Sequence, residues 1–119
     1  MSVVDLLQKG KYEDSTIISS YETLKMATIN GAKALGLKDI GTIEKGKKAD
    51  LIIIDKKSIT MTPNSNKPSS NIVYSANGYD VLTTICNGKI LMEDKKIQTL
   101  NEEKIKEYAS EAIEEMKTL

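Results

Sequence analysis

Four side chains stand where chemistry could be attempted. Asp50 and Asp80 each lie where a turn runs into an apolar stretch, Cys86 lies beside an Asn-Gly pair, and Lys48 follows Gly46-Lys47 in a charged loop. Carboxylates can trade protons, a thiol at a turn can act as a nucleophile, and a lysine beside glycine can hold a phosphate. The groups that would activate them are missing. The sequence contains no histidine, so it offers no Ser-His or Cys-His pair and no imidazole for a metal. One cysteine cannot build a thiolate zinc site. Gly31, Gly36, Gly41 and Gly46 are not spaced as a phosphate loop, and Gly46-Lys47-Lys48 opens a strand rather than a helix. The plainer roles fit better. Asp50 and Asp80 accept turn amides, Lys48 is solvated, and Cys86 is a small inert residue. Met26, Met92 and Met116 fall at apolar periodic positions and read as core filler. The sequence thus assigns no catalytic, cofactor-binding or metal-ligating residue to this chain.

Composition narrows the partners. Seventeen lysines balance 17 acidic residues, and arginine is absent. A neutral chain has no electrostatic pull toward nucleic acid or an anionic membrane, and it lacks the fork that reads phosphate or guanine. No apolar run approaches the roughly 20 residues of a membrane span. The lone Cys86 suits a reducing cytoplasm. At 119 residues the chain is one domain or a piece of a larger one. A chain of this size can bury about two-thirds of its unfolded surface, here in an aliphatic core.

The elements that position these residues are legible from periodicity and punctuation. Residues 2–9 read as the last turns of a helix with Val3, Leu6 and Leu7 on one face and Gly10 as its stop. Ser19 and Glu22 form a capping box for a helix that runs to Leu35. Leu24, Ala27, Thr28, Ala32 and Leu35 mark its face, and Gly36 ends it with Leu37 folding back. Asn30-Gly31 inside that helix costs roughly 1 kcal/mol and signals close packing on another element. Gly41 to Asp55 is a glycine-punctuated turn entering Leu51-Ile52-Ile53-Ile54, a strand with no polar face, which predicts cover on both sides. Gly46 takes positive φ. Lys56 to Ser70 is a long polar connection, Asn71 to Ser75 a short strand, and Ala76 to Asp80 a turn. Val81–Cys86 and Lys89–Glu93 form a hairpin across Asn87-Gly88. The implied register sets Ile85 opposite Ile90 and Thr83 opposite Met92, with Val81, Ile85, Ile90 and Met92 on one face. A final helix spans 101–117, with Thr99 and Glu102 as a second capping box. Ile105, Tyr108, Ala109, Ala112, Ile113 and Met116 form one stripe, and the Lys and Glu residues form its solvated face.

The runs Met26 to Leu37, Gly41 to Asp55, Val73 to Val81 and Cys86 to Lys89 together resemble the carboxy-terminal part of metal-dependent amidohydrolases. Within that superfamily the chain is similar to the methylthioadenosine/adenosylhomocysteine deaminases and related chlorohydrolases. The resemblance implies a parent with a (β/α)₈ barrel and a smaller β-sandwich built from both chain ends. A barrel takes about 250 residues, so this chain holds no complete one. The resemblance therefore implies an α+β piece. Residues 1–37 would be a helical remnant of the barrel, with its last helix at 19–36. Residues 41–98 would be the trailing sandwich strands, a small mostly antiparallel sheet, and 99–119 the carboxy-terminal helix.

Family chemistry uses a divalent metal, commonly zinc, held by histidines and an aspartate, whose bound water attacks the carbon bearing the amine. Those ligands all precede the segment matched here, so the resemblance transfers no catalytic or metal role to any residue of this chain. The implied partner is the missing amino-terminal part, and sheet edges meant for its strands would be open and self-associating. Two other functions stay open from sequence: a free-standing β-sandwich binding or scaffold module, and an amidohydrolase of a cyclic amide or imidazolone.

Overall fold

The computed structural model describes residues 2–63 and 66–117. Its elements make a small α+β arrangement in which helices precede, interrupt and follow a four-stranded antiparallel sheet of order β1-β2-β3-β4.

Helix α1 (Ser2–Tyr12) runs through Gly10 instead of stopping there. The turn is made at Glu13, with φ 51°, while Asp14 N donates to Lys9 O at 3.2 Å. The expected apolar face is exposed at Val3, Leu6 and Leu7, and the buried residue of α1 is Asp5. The capping box is present: Glu22 N donates to Ser19 Oγ at 3.2 Å and Ser19 N to Glu22 Oε2 at 2.9 Å. The helix it opens is not uniform. It comprises α2 (Ser20–Lys25), a π turn (Met26–Asn30) and α3 (Gly31–Ala34). A π turn inserts one extra residue, which rotates everything beyond it by about 100°. The predicted face does not hold through it: Ala32 is buried, but Ala27, Thr28 and Leu35 are exposed, and before the π turn the buried residue is Thr23. The end follows expectation. Gly36 takes φ 70°, its amide donates to Lys33 O at 3.1 Å, and Leu37 N donates to Ala32 O at 2.9 Å, the paired bonds of a Schellman motif.

The close approach signalled by glycine belongs to Gly41, not Gly31. A Cβ on Gly41 would lie 2.9 Å from Ala32 Cβ and 3.1 Å from Ile29 Cα, whereas one on Gly31 would meet only Met26 O, at 3.2 Å. Gly41 thus seats the turn on the π turn and α3. Gly46 has φ 90°, as expected, in open space.

Strand β1 (Leu51–Ile54) pairs with β2 (Val81–Cys86) and lies at the sheet edge. Ile52 and Ile53 are exposed, so the cover predicted from the apolar run is not supplied by this chain. The connection after β1 contains a 3₁₀ turn (Ile59–Met61) and then α4 (Pro68–Tyr74). The strand predicted over 71–75 is therefore helical. Pro68 presets φ at the first helical positions, and packing of Val73, Ser69, Ser70 and Tyr74 on α1 and α2 outweighs the β preference of Ile72 and Val73.

The hairpin of β2 and β3 (Lys89–Glu93) turns at Asn87 and Gly88, with φ 48° and 77°. Ile85 faces Ile90 as expected, but Met92 faces Thr84 rather than Thr83 because Leu91 bulges. Leu82 is likewise an extra residue against β1. The bulges mix the two faces, so Ile90 is exposed while Leu82 and Leu91 are half-buried. Their carbonyls are not wasted: Lys95 N donates to Leu82 O at 3.0 Å and Gln98 N to Leu91 O at 2.8 Å. These bonds draw in β4 (Lys96–Ile97), which follows a turn at Asp94 and Lys95.

Helix α5 (Glu102–Lys117) is capped by Asn101, whose side chain accepts from Lys104 N at 3.1 Å, in place of the predicted cap at Thr99. Its stripe is uncovered; Ile105, Tyr108, Ile113 and Met116 are all exposed.

Among the described residues the buried apolar side chains are Ile18, Ala32, Met61 and Val73. Of the predicted core methionines, Met26 and Met116 are exposed and Met92 is half-buried, while Met61 is the buried one. The accessible surface is 9404 Å², against about 6,400 Å² for a compact chain of this mass. The radius of gyration is 18.7 Å, against about 13.5 Å for this length. The chain buries about half of its unfolded surface rather than the two-thirds it could.

Candidate functional site

Two buried aspartates organise the polar interior, and each is held by a different set of elements. Asp5, on α1, is fully buried. Its Oδ1 accepts from Thr23 Oγ1 of α2 at 3.1 Å, and its Oδ2 accepts from Tyr74 OH of α4 at 2.7 Å. Lys9, one turn along α1, brings Nζ to 2.9 Å from Asp5 Oδ2 and donates to Tyr74 OH at 2.6 Å. Burial pushes the Asp5 carboxyl up, but the hydrogen bonds from Tyr74, Lys9 and Thr23 and the Lys9 charge together outweigh it and leave the group below its usual range. The Lys9 ammonium is raised, by its bonds to Tyr74 and Asp5.

Asp80 lies beyond α4, where the chain enters β2. Its Oδ1 accepts from Ser58 Oγ and, at 2.7 Å, from Thr60 Oγ1, and its Oδ2 accepts from Asn77 N at 2.8 Å. The Ser58 hydroxyl, the Asn77 amide and the Thr60 hydroxyl hold its carboxyl below the usual carboxylate range. Its own carbonyl receives Asp55 N at 2.7 Å. Asn71 completes the junction by donating from Nδ2 to Met61 O at 2.8 Å and Pro63 O at 3.0 Å.

The four sequence candidates do not converge. Asp50 accepts from Asn87 N at 2.6 Å and so pins the hairpin turn to the start of β1. Asp80 lies at the opposite end of the same ladder, because Leu51 pairs with Ile85 and Ile54 with Val81. Both aspartates therefore do what turn-amide acceptors do. Lys48 Nζ pairs with Asp39 Oδ2 at 2.8 Å, and Cys86 is an exposed free thiol. Sequence reasoning missed Asp5 and Lys9. The available signal was an oppositely charged pair at i, i+4 beside the aliphatic residues of the first helix.

A catalytic divalent metal does not fit these residues. The sequence has no histidine, and no group of three or more His, Cys, Asp or Glu side chains that could hold a metal occurs among the described residues. Asp5 and Asp80 already spend their oxygens on protein donors. No helix among the described residues is long and apolar enough to cross a membrane.

Comparison with known proteins places this scaffold. Residues 1–91 match the model of the amidohydrolase family. The chain belongs to the amidohydrolase family. It is 54% identical over 118 residues to a 5′-deoxyadenosine deaminase of Methanobrevibacter smithii, covering 98% of this chain and 27% of that protein. It is 50% identical over 101 residues to a 5-methylthioadenosine/S-adenosylhomocysteine deaminase of Moorella thermoacetica, covering 84% of this chain and 23% of that one. Among solved structures it is similar to an adenosine deaminase of Xanthomonas campestris crystallised with bound zinc, with a TM-score of 0.83 and 28% identity over 98% of this chain and 26% of that chain. This amidohydrolase chain thus spans about a quarter of the length of the relatives it matches.

Proposed function

We propose that this chain is the carboxy-terminal structural portion of a metal-dependent hydrolase acting on non-peptide C–N bonds. The parent is an aminohydrolase that deaminates adenosine-type compounds such as 5′-deoxyadenosine, methylthioadenosine or adenosylhomocysteine. Its reaction adds water at the purine carbon bearing the amino group and releases ammonia. The observation that carries the reading is 54% identity along 98% of this chain to a deaminase nearly four times as long. In this reading residues 1–37 belong to the barrel, 41–98 to the sandwich and 99–119 to the terminal helix. Zinc and every catalytic group belong to the preceding part of the parent, and no residue here is catalytic, cofactor-binding or metal-ligating. The parent works in the cytoplasm.

The uncovered apolar faces support the same reading. Val3, Leu6 and Leu7 on α1, Ile52 and Ile53 on β1, and Ile105 and Tyr108 on α5 are exposed. Surfaces of that kind mark interaction sites. The partner they suit is the amino-terminal part of the parent; in its absence the open β1 edge pairs with a second copy.

The test is complementation. The 119-residue chain is co-expressed with the Methanobrevibacter smithii deaminase shortened by its matching segment, and ammonia release is followed with zinc and each of the three nucleosides. Each part alone is inactive and the pair deaminates. Deamination by this chain alone, or an inactive complex beside an active intact relative, overturns the proposal. Sedimentation of the isolated chain as a strict monomer overturns the self-pairing of β1.

A further inference from the structure

We propose that Asp5 is a charge-dependent latch between the helical and sheet-bearing parts of the chain: ionised, it fastens α4 to α1 and α2, and once neutralised it lets α4 swing away. The geometry is that of a single acceptor serving three elements. Asp5 lies on α1 with no exposed surface. Thr23 Oγ1 from α2 reaches Oδ1 at 3.1 Å, while Tyr74 OH from α4 and Lys9 Nζ from α1 reach Oδ2 at 2.7 and 2.9 Å. Tyr74 OH also accepts from Lys9 Nζ at 2.6 Å, so the phenol proton is committed to Asp5. A neutral carboxyl in the same place would leave Lys9 without its counter-charge and weaken the bond from Tyr74, while Thr23 could give its proton to Ser19 O at 3.1 Å instead.

The groups facing Asp5 are Lys9 on α1 and Tyr74 on α4, while α2 contributes the uncharged Thr23. Glu22 and Lys25 of α2 line the neighbouring groove with Gln8 and make no bond to Asp5. Among the described residues α4 and α2 also share neutral hydrogen bonds, between Ser20 Oγ and Ser69 Oγ at 3.0 Å and between Ser20 Oγ and Ser70 Oγ at 3.2 Å. Beyond α4, Asn77 and Asp80 lead directly into β2. The latch therefore governs how firmly the start of the sheet is tied to the helices, without entering the sheet itself.

The test uses the full chain and amide hydrogen exchange at neutral pH. Asp5→Asn lowers the protection of amides 72–76 at least tenfold, while amides of the β2–β3 hairpin change less than twofold. Tyr74→Phe removes the same link from the other side and produces the same local loosening. It also raises the titration midpoint of the Asp5 carboxyl, followed by ¹³C NMR. The double variant is no looser than the looser single one, because both remove one link. Should Asp5→Asn fail to fold, Tyr74→Phe decides alone. Protection of α4 within twofold of the wild type, equal losses in α4 and the hairpin, or additive effects in the double variant overturn the latch. No readout involves deamination, so this outcome is independent of the proposed function.

Discussion

Gly41→Ala is the sharpest test of how the charged turn is seated on the helices, because the chain carries its own control. Gly41 and Gly46 have nearly the same backbone, with φ 88° and 90°. An alanine at either must adopt a left-handed conformation, at about 1–2 kcal/mol. They differ in surroundings. The new methyl at 41 would fall 2.9 Å from Ala32 Cβ and 3.1 Å from Ile29 Cα, and the latter is backbone that cannot swing aside, whereas nothing lies within 4 Å at 46. Forcing a methyl into a packed contact adds about 1–3 kcal/mol. Gly41→Ala is thus expected to cost about 2–5 kcal/mol and Gly46→Ala about 1–2 kcal/mol. Urea unfolding followed by circular dichroism at 222 nm measures both, provided the slopes agree. If Gly41→Ala leaves no folded baseline in buffer while Gly46→Ala still shows a transition, the ordering is the same. Equal losses for the two variants would refute the placement of the turn against the π turn and α3.

Four further outcomes follow from the contacts and burial described. Ser19→Ala removes the capping box and lowers stability by about 0.5–2 kcal/mol, read as a reduced urea midpoint with less helical signal. Met61→Ala empties a site only 3% exposed and costs about 2–5 kcal/mol. Met116→Ala, on a side chain 66% exposed, stays within about 0.5 kcal/mol of the wild type in the same assay. The Asp80 carboxyl lies below its usual range in the folded chain because Ser58, Asn77 and Thr60 donate to it. Its stabilising contribution is therefore complete above that usual range and is lost as pH falls through the depressed folded value. Asp80→Asn is less stable at neutral pH and has a flatter acid limb than the wild type; parallel limbs for the two proteins would contradict the bonding described.

Local chemistry was legible wherever it was sufficient. Ser19 and Glu22 announced a helix start, Gly36 and Leu37 its end, and Asn87-Gly88 the hairpin, since each completes its hydrogen bonds within a few residues. Reading failed where distant contacts decided. Ile72-Val73-Tyr74 carries a strand-like composition, yet Pro68 and the contacts with Ser20 and Asp5 make it helical. Strand β4 follows a turn in which Asp94 and Lys95 take φ 46° and 65° without glycine, so no turn signal was present. Asp5 gave no sign in the sequence of being the residue that α2 and α4 converge on, since its partners Thr23 and Tyr74 are distant along the chain. The absence of histidine was legible from sequence and bears most directly on the candidate site.

The leucine bulges make strand length a means of steering. Removing Leu91 would still leave Ile85 opposite Ile90 and Thr84 opposite Met92, now without a break. It would also delete the carbonyl that Gln98 N reaches. A one-codon loss at that point would thus spare the hairpin and loosen the far end of the fourth strand, which keeps its pairs Met92–Ile97 and Glu93–Lys96, and with it the direction in which α5 departs. Heritable insertions and deletions in this part of the chain are expected to act less on whether the sheet forms than on where the terminal helix is delivered.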